Sequence, residues 1–121
     1  MEVITLVYDE NIRYFGFFHI LKKEGFDKIV FFPSTIQALE NFSEIVGSRV
    51  LILEIVPDLI ESCENGNKLM EAFKKNNESG KIILMLNVNR KSFSIDRHLA
   101  NVEISLPVYE DCFIQTVMSV F

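Results

Sequence analysis

The sequence predicts a three-layer α/β protein in which helices cover both faces of a parallel β-sheet. Five short apolar runs, rich in β-branched and aromatic residues, recur along the chain, and the segments between them carry helical spacing. The first, third and fourth runs are almost continuously apolar, which is typical of strands that are buried on both faces. Because strand and helix alternate, right-handed crossovers would build a doubly wound sheet.

The five apolar runs are the predicted strands. They span residues 3–8, 28–32, 49–55, 81–88 and 102–106. None approaches the roughly 20 residues that cross a bilayer, and no basic region precedes the first run, so neither a membrane span nor a signal peptide is expected. The two cysteines, Cys63 and Cys112, lie far apart and outside metal-ligand spacing. We therefore expect a cytoplasmic protein with free thiols.

Five helices are predicted between and after these strands. They span residues 11–25, 34–47, 65–80, 90–101 and 109–121. The second begins at Ser34 or Thr35 as a cap, and its apolar residues are expected to face inward, Ile36 among them. The fourth is more polar than the others. With a length of 121 residues, we expect residues 1–121 to form one domain.

Charge and motifs narrow the function classes. The net charge is −5, and no basic cluster is longer than the pairs Lys22-Lys23 and Lys74-Lys75. This disfavours direct binding of nucleic acid and favours a cation or a basic partner. The sequence contains neither GxGxxG nor GxxxxGK[ST], and its first loop is acidic. A nucleotide site is therefore not expected.

Acidic residues stand where two neighbouring strands are predicted to end. Asp9 and Glu10 follow the first strand, and Glu54 ends the third, shortly before Pro57. In doubly wound sheets, functional groups gather at the carboxyl ends of the strands. Three carboxylates there are compatible with Mg²⁺, but the same residues also serve as ordinary caps of loops and helices. The residues alone leave both interpretations open.

Three motifs together resemble the receiver domain of bacterial response regulators in two-component signal transduction. They are "LVYDEN" after the first strand, "LILEIVP" at the third and "ISLPVYEDCF" at the fifth. The resemblance spans the full length, with Asn65-Gly66 where the family often has Asp-Gly at the start of a helix. It implies a flavodoxin-like fold with strand order 2-1-3-4-5. It also implies a phosphoryl-accepting aspartate after strand three and Mg²⁺ held partly by carboxylates after strand one.

Several positions depart from the receiver pattern. Asp9 and Glu10 keep the acidic pair. The acceptor position falls on Glu54 when the apolar run is aligned, or on Leu53 when residues are counted back from Pro57.

The other departures lie along strands four and five. The hydroxyl that binds the phosphoryl group falls on Asn87, and the lysine before Pro107 falls on Leu106. The aromatic switch residue on strand five falls near Glu103. The chain thus lacks the family's hydroxyl, cation and aromatic at these positions.

These departures predict a pseudo-receiver that is not phosphorylated, is not an enzyme and needs no cofactor. Two alternatives remain. Arg90 or Lys91 could replace the missing cation, giving an atypical Mg²⁺-dependent phosphoacceptor in a phosphorelay. Glu54, longer than aspartate, could permanently imitate the phosphorylated residue.

The expected activity is protein–protein interaction, with another signalling protein or a second copy of the chain and without a membrane. The first helix is rich in aromatic residues, and Tyr14, Phe17 and Phe18 are candidate docking residues. The surface between the fourth strand and the last helix, which many receivers use for dimers and outputs, is a second candidate. Since the chain ends at Phe121, we expect no effector domain within it.

Overall fold

The computed structural model describes residues 3–8 and 14–121, with side chains for residues 3–8 and 16–121. It contains a five-stranded parallel sheet in the order β2-β1-β3-β4-β5. The strands are β1 (Ile4–Val7), β2 (Ile29–Phe32), β3 (Val50–Glu54), β4 (Lys81–Leu86) and β5 (Val102–Ser105). The helices are α1 (Tyr14–Lys23), α2 (Thr35–Glu40), α3 (Phe42–Ile45), α4 (Ile60–Asn76) and α5 (Glu110–Ser119). The predicted fold class and strand order are confirmed.

Two apolar layers flank the sheet. One joins alternate residues of the strands to α1 and α5, with Phe17, Leu21 and Phe113 among its buried residues. The other joins the intervening residues to α2, α3 and α4, with Leu69 and Phe73 among its buried residues. Since β1 and β3 are buried at every position, they carry the continuous apolar runs that the sequence shows.

The predicted helix over residues 34–47 is two short helices. Ser34 is the N-cap of α2, and its Oγ accepts a hydrogen bond from the Gln37 N–H at 3.1 Å. Asn41 interrupts the helix with φ −116° and ψ 33°. Its side-chain amide donates to the Gln37 carbonyl at 2.8 Å, so Asn41 competes for the helix's own hydrogen-bonding groups. Ile36 was predicted to face inward, but it is 47% exposed.

The helix predicted over residues 65–80 begins earlier, at Ile60. Asn65 and Gly66 therefore lie inside α4 and do not open it, which corrects the position inferred from the receiver motif. A Cβ at Gly66 would lie 2.5 Å from Ile55 Cδ1. The glycine serves the close approach of α4 to the end of β3, and it does not serve a turn.

The helix predicted over residues 90–101 is absent apart from a 3-10 turn at Arg97–Leu99. Residues 87–101, called the crossing segment below, run across α4 in an irregular conformation. The Asn67 side chain of α4 pairs with two backbone groups of this segment. Its Nδ2 donates to the Ser94 carbonyl at 3.0 Å, and its Oδ1 accepts from the Asp96 N–H at 2.8 Å. The residues of the crossing segment that pack on the core are Ile95, Leu99 and Ala100.

Candidate functional site

The carboxyl end of β3 brings one acidic side chain into the protein. Glu54 is the last residue of the strand, lies beside Met85 of β4 and is 2% exposed. By strand alternation it belongs to the face that carries Ile52, the face covered by α1 and α5. Leu53 points the other way, into the layer below α4. Of the two residues that the sequence left as alternatives for the acceptor position, the acidic one thus lies at the strand end.

Asp9 and Glu10, predicted as metal ligands together with Glu54, lie outside the described residues. Within the part of the chain that the structure describes, no three His, Cys, Asp or Glu side chains form a metal-binding group. Mg²⁺ takes several oxygen ligands, and the buried Glu54 carboxylate alone does not supply them. The described residues therefore do not by themselves fit a magnesium site, and the predicted site stays a prediction.

Leu106 directly follows β5 and is 3% exposed. Its N–H donates to the Leu86 carbonyl at 3.0 Å, which extends the β4–β5 pairing, and its side chain packs in the layer of α1 and α5. The Leu106–Pro107 peptide bond is cis. The position predicted to correspond to the receiver lysine is thus filled by a buried hydrocarbon side chain.

Asn87 follows β4 in a tight polar turn. Its side-chain oxygen accepts a hydrogen bond from the Asn89 N–H at 3.0 Å. This is a local side-chain turn in which the amide group serves the backbone of the loop.

Glu103 lies on the exposed face of β5 and forms a fork-shaped ion pair with Arg97 of the 3-10 turn. Arg97 Nε donates to both carboxylate oxygens, at 3.0 and 3.1 Å, and Nη2 lies 2.8 Å from Oε1. The hydrogen bond to Glu103, and then its charge, raise the pKa of Arg97 above its ordinary value. The pair connects the crossing segment to β5 at the predicted switch position.

The two cations predicted as lysine substitutes lie on the crossing segment. The Arg90 guanidinium lies near Asp58, in the loop after β3, with Nη1 3.5 Å from Oδ1. Lys91 is exposed and lines a recess of about 390 Å³ together with Asp58 and Phe93.

The aromatic docking surface predicted on the first helix is wrong for Phe17. This side chain is only 9% exposed, and its ring lies 4.5 Å from that of Phe113 and 5.6 Å from that of Tyr8. Phe18 is partly buried, with Lys22 Nζ 5.6 Å from its ring centre. The spacing of the aromatic residues in α1 places Phe17 on the side of the helix that faces α5, and its side chain is therefore buried. The Tyr14 side chain lies outside the described part of the structure.

Three apolar residues are exposed although none of them was predicted to be so from the sequence, and Ile36 was expected to face inward. Ile36, Leu59 and Ile60 are 47%, 54% and 50% exposed, and they line one groove between the amino-terminal ends of α2 and α4. The signal that could have found Leu59 and Ile60 is "DLIES", two large apolar residues between acidic ones just ahead of a helical pattern.

Comparison with known proteins points to a single fold. No family model and no curated protein matches the sequence. The structure matches response regulator TrrA from Thermotoga maritima in complex with Mg²⁺-BeF, with a TM-score of 0.78, 21% identity and 100% of both chains covered. The chain has the receiver-domain fold.

Two further matches agree with this assignment. TrrA in complex with the histidine kinase ThkA gives a TM-score of 0.75 at 20% identity, covering 100% of this chain and 99% of that one. A response regulator receiver protein from Burkholderia phymatum gives 0.75 at 16% identity, covering 99% and 94%. Among the described residues, no helix has both the length and the apolar character needed to span a membrane.

Proposed function

We propose that this chain is a receiver-like signalling domain of the two-component type that acts by binding another protein and does not accept a phosphoryl group. The single observation that carries the proposal is the burial of Leu106, at 3% exposure, where a receiver would present a lysine. The receiver-domain fold supports the signalling class, and the side chains at its carboxyl edge support the loss of phosphotransfer.

The chemistry of phosphoryl transfer explains why Leu106 matters. Catalysis depends on positioning and on cations that neutralise the charge of the transferred group. A leucine packed among apolar side chains supplies no charge. Glu54 adds a second departure, because one extra methylene moves the carboxylate forward by about 1.5 Å, a C–C bond length. A misplacement of about 1 Å can cost roughly a hundredfold in rate.

The residues of the conformational switch support the same proposal. The side chain at the aromatic position is Glu103, which is paired with Arg97 on the surface. The side chain at the hydroxyl position is Asn87, which is engaged in its own turn. A switch requires an element with two arrangements that a ligand can bias. Neither side chain offers the paired movement of hydroxyl and aromatic on which receivers depend.

The partner that we propose is another signalling protein, with a second copy of the chain as the alternative. TrrA, which shares the fold, has been observed with a histidine kinase. The cytoplasm is the compartment in which such a partner would be met.

One specific observation favours a second candidate function, an atypical Mg²⁺-dependent phosphoacceptor. Arg90, on the loop after β4, lies 3.5 Å from Asp58 on the loop after β3. A guanidinium at this edge of the sheet is a possible replacement for the lysine, and Glu54 would then be the acceptor.

Acetyl phosphate with Mg²⁺, followed by intact mass measurement, separates the two candidates. The pseudo-receiver proposal predicts an unmodified mass under conditions in which a phosphorylatable receiver is fully modified. A phosphoryl adduct that disappears in Glu54→Gln would contradict it and establish the second candidate. Arg90→Gln serves as the further variant, because it removes the proposed substitute cation while keeping the carboxylate.

A further inference from the structure

The groove between α2 and α4 has the size and lining of a docking site. Its volume is about 350 Å³, and its exposed apolar residues are Ile36 of α2 and Leu59 and Ile60 at the start of α4. Single apolar residues on a surface are ordinary, whereas these three share one concavity that a partner's apolar side chains could enter. We call this concavity the acidic groove, for the charges described below.

The local structure holds these side chains outward. Leu59 occupies the N-cap of α4, where Ser, Thr, Asp or Asn is usual, and it makes no side-chain cap hydrogen bond. The preceding loop is fixed instead by the backbone: the Leu59 N–H donates to the Val56 carbonyl at 3.1 Å, and the Phe93 N–H to the Pro57 carbonyl at 2.8 Å. Ser62 Oγ accepts from the Val56 N–H at 2.8 Å. The wall of the groove is thus preorganised, which reduces the entropy cost of binding.

The two segments that meet at the groove carry side-chain charges of one sign. Residues 33–40 and 58–67, the segments that contribute the groove's lining, contain four acidic residues and no lysine or arginine: Glu40, Asp58, Glu61 and Glu64. Glu61 lines the groove itself, while Asp58 lies beside Arg90. Acidic residues in the first turn of a helix also complement its dipole, but that effect does not account for the absence of basic residues from α2.

We propose that the acidic groove docks a partner segment that carries branched apolar side chains flanked by lysine or arginine. An amphipathic helix that lays its apolar face into a groove is a common recognition mode, and Glu61 in the groove, together with the acidic residues of the same segments, would attract and orient its basic residues. The inference deepens the proposed binding function and rests on it. It assigns the docking to the α2–α4 edge, and not to α1 or to the surface between β4 and α5.

The test titrates the ¹⁵N-labelled full chain with a synthetic amphipathic peptide of leucine and lysine. Saturable shifts at the amides of Ile36 and residues 59–62 are expected. The same peptide with glutamate replacing lysine should bind at least tenfold more weakly. Equal affinity for the two peptides, shifts on another surface, or no saturable shift overturns the proposal. Groove shifts that depend on protein concentration alone would identify a second copy as the occupant and also overturn it.

Charge-reversal variants on one helix provide the matched control. Glu61→Lys should weaken binding of the lysine peptide at least fivefold, because the change lies in the groove. Glu71→Lys, an exposed position further along α4, should leave it unchanged within twofold. Equal effects of both variants would show that binding follows the overall charge of the chain, and this result would overturn the proposal. A failed titration refutes the groove, whereas a phosphoryl adduct refutes the proposed function, so the two failures are distinguishable.

Discussion

Glycine can mark the start of a helix or allow two elements to pack closely, and Gly66 has the second role. From the sequence, Asn65-Gly66 is placed at the start of a helix because the receiver family, which the chain resembles, often has Asp-Gly there. In the structure, Gly66 lies within α4 at the point where the helix presses on Ile55 and Leu53. Local sequence cannot separate these meanings, because the close approach involves residues brought together only by folding.

The stability effect of Gly66→Ala follows from this contact. A Cβ would lie 2.5 and 2.7 Å from two Ile55 atoms, so Ile55 or α4 must shift. Overpacking costs about 1–3 kcal/mol, and a contact this short belongs in the upper part of that range, above the roughly 1 kcal/mol that alanine gains over glycine in a helix. We expect a lower free energy of unfolding in urea.

Gly16→Ala in α1 is the matched control for this prediction. Gly16 is exposed, and its Cβ would meet nothing within 4 Å. This variant should be more stable by about 0.5–1 kcal/mol. Equal changes for the two glycines would contradict the packing account.

Leu106 was identified from its place before Pro107, and its burial was then found in the structure. The position of Leu106 can be predicted from the sequence because the fifth apolar run locates the end of the strand and Pro107 follows it directly. Glu54 was identified in the same way, but its 2% exposure depends on α1 and α5 covering that face. Sequence patterns locate such residues along the chain, while their burial is a property of the assembled layers.

At the scale of elements, the crossing segment is the main difference between prediction and structure. The spacing of residues 90–101 predicts a helix, but the segment is held by tertiary contacts instead. β5 already carries the relevant signal: Val102 and Ile104 are covered, whereas Glu103 and Ser105 are exposed. Such alternation is typical of a strand with one solvated face, so no helix was needed to cover it.

Asn67→Ala should loosen the crossing segment. The change removes two hydrogen bonds, to Ser94 and Asp96. With roughly 0.5–1.5 kcal/mol for each bond, we expect a loss of about 1–3 kcal/mol in the free energy of unfolding. Hydrogen exchange at the Asp96 amide should become faster.

Asn76→Ala on the same helix is the control. The Asn76 side chain makes one exposed hydrogen bond, to the Ala72 carbonyl within its own helix. Its removal should change stability by a few tenths of a kcal/mol and leave exchange at Asp96 unaltered. If Asn67→Ala behaves in the same way, the segment is not held by Asn67.

The Arg97–Glu103 pair gives a prediction about pH and salt. Glu103 raises the pKa of Arg97 in the folded protein. The pair therefore stabilises the folded state at every pH below the pKa that Arg97 has in the unfolded chain, and this stabilisation is lost only as pH rises through the still higher pKa of Arg97 in the folded protein. The difference in urea midpoint between the natural chain and Arg97→Gln should therefore be the same at neutral pH and at about pH 10. It should shrink in about 1 M salt, since the pair is exposed. If the difference in urea midpoint does not depend on salt, Arg97 stabilises the protein by packing and not by its charge.

At the scale of the whole molecule, the fold was predictable and the binding surface was not. The alternation of apolar runs and helices spans the chain, so it specifies the layers, and the receiver resemblance added the strand order. The acidic groove lies where α2 and α4 meet. Its lining residues Ile36 and Leu59 belong to segments that are far apart in the sequence. Such a juxtaposition has no periodic signature.

The net charge of −5 belongs to the same scale. Glu61 lines the groove, and the overall negative charge would attract a basic partner at long range. Association driven by that field should slow as salt is added, whereas apolar contacts in the groove should be less affected.

The central claim, that this receiver-like domain has lost its response to a phosphoryl group, is tested most directly by NMR with Mg²⁺ and beryllofluoride. The measurement follows the amides of Glu54, Asn87 and Glu103 in the ¹⁵N-labelled chain. The account predicts no saturable shift at these amides up to millimolar concentrations. A saturable change at Glu54 that extends to Glu103 would contradict it, because the site would then bind the phosphoryl mimic and transmit its presence.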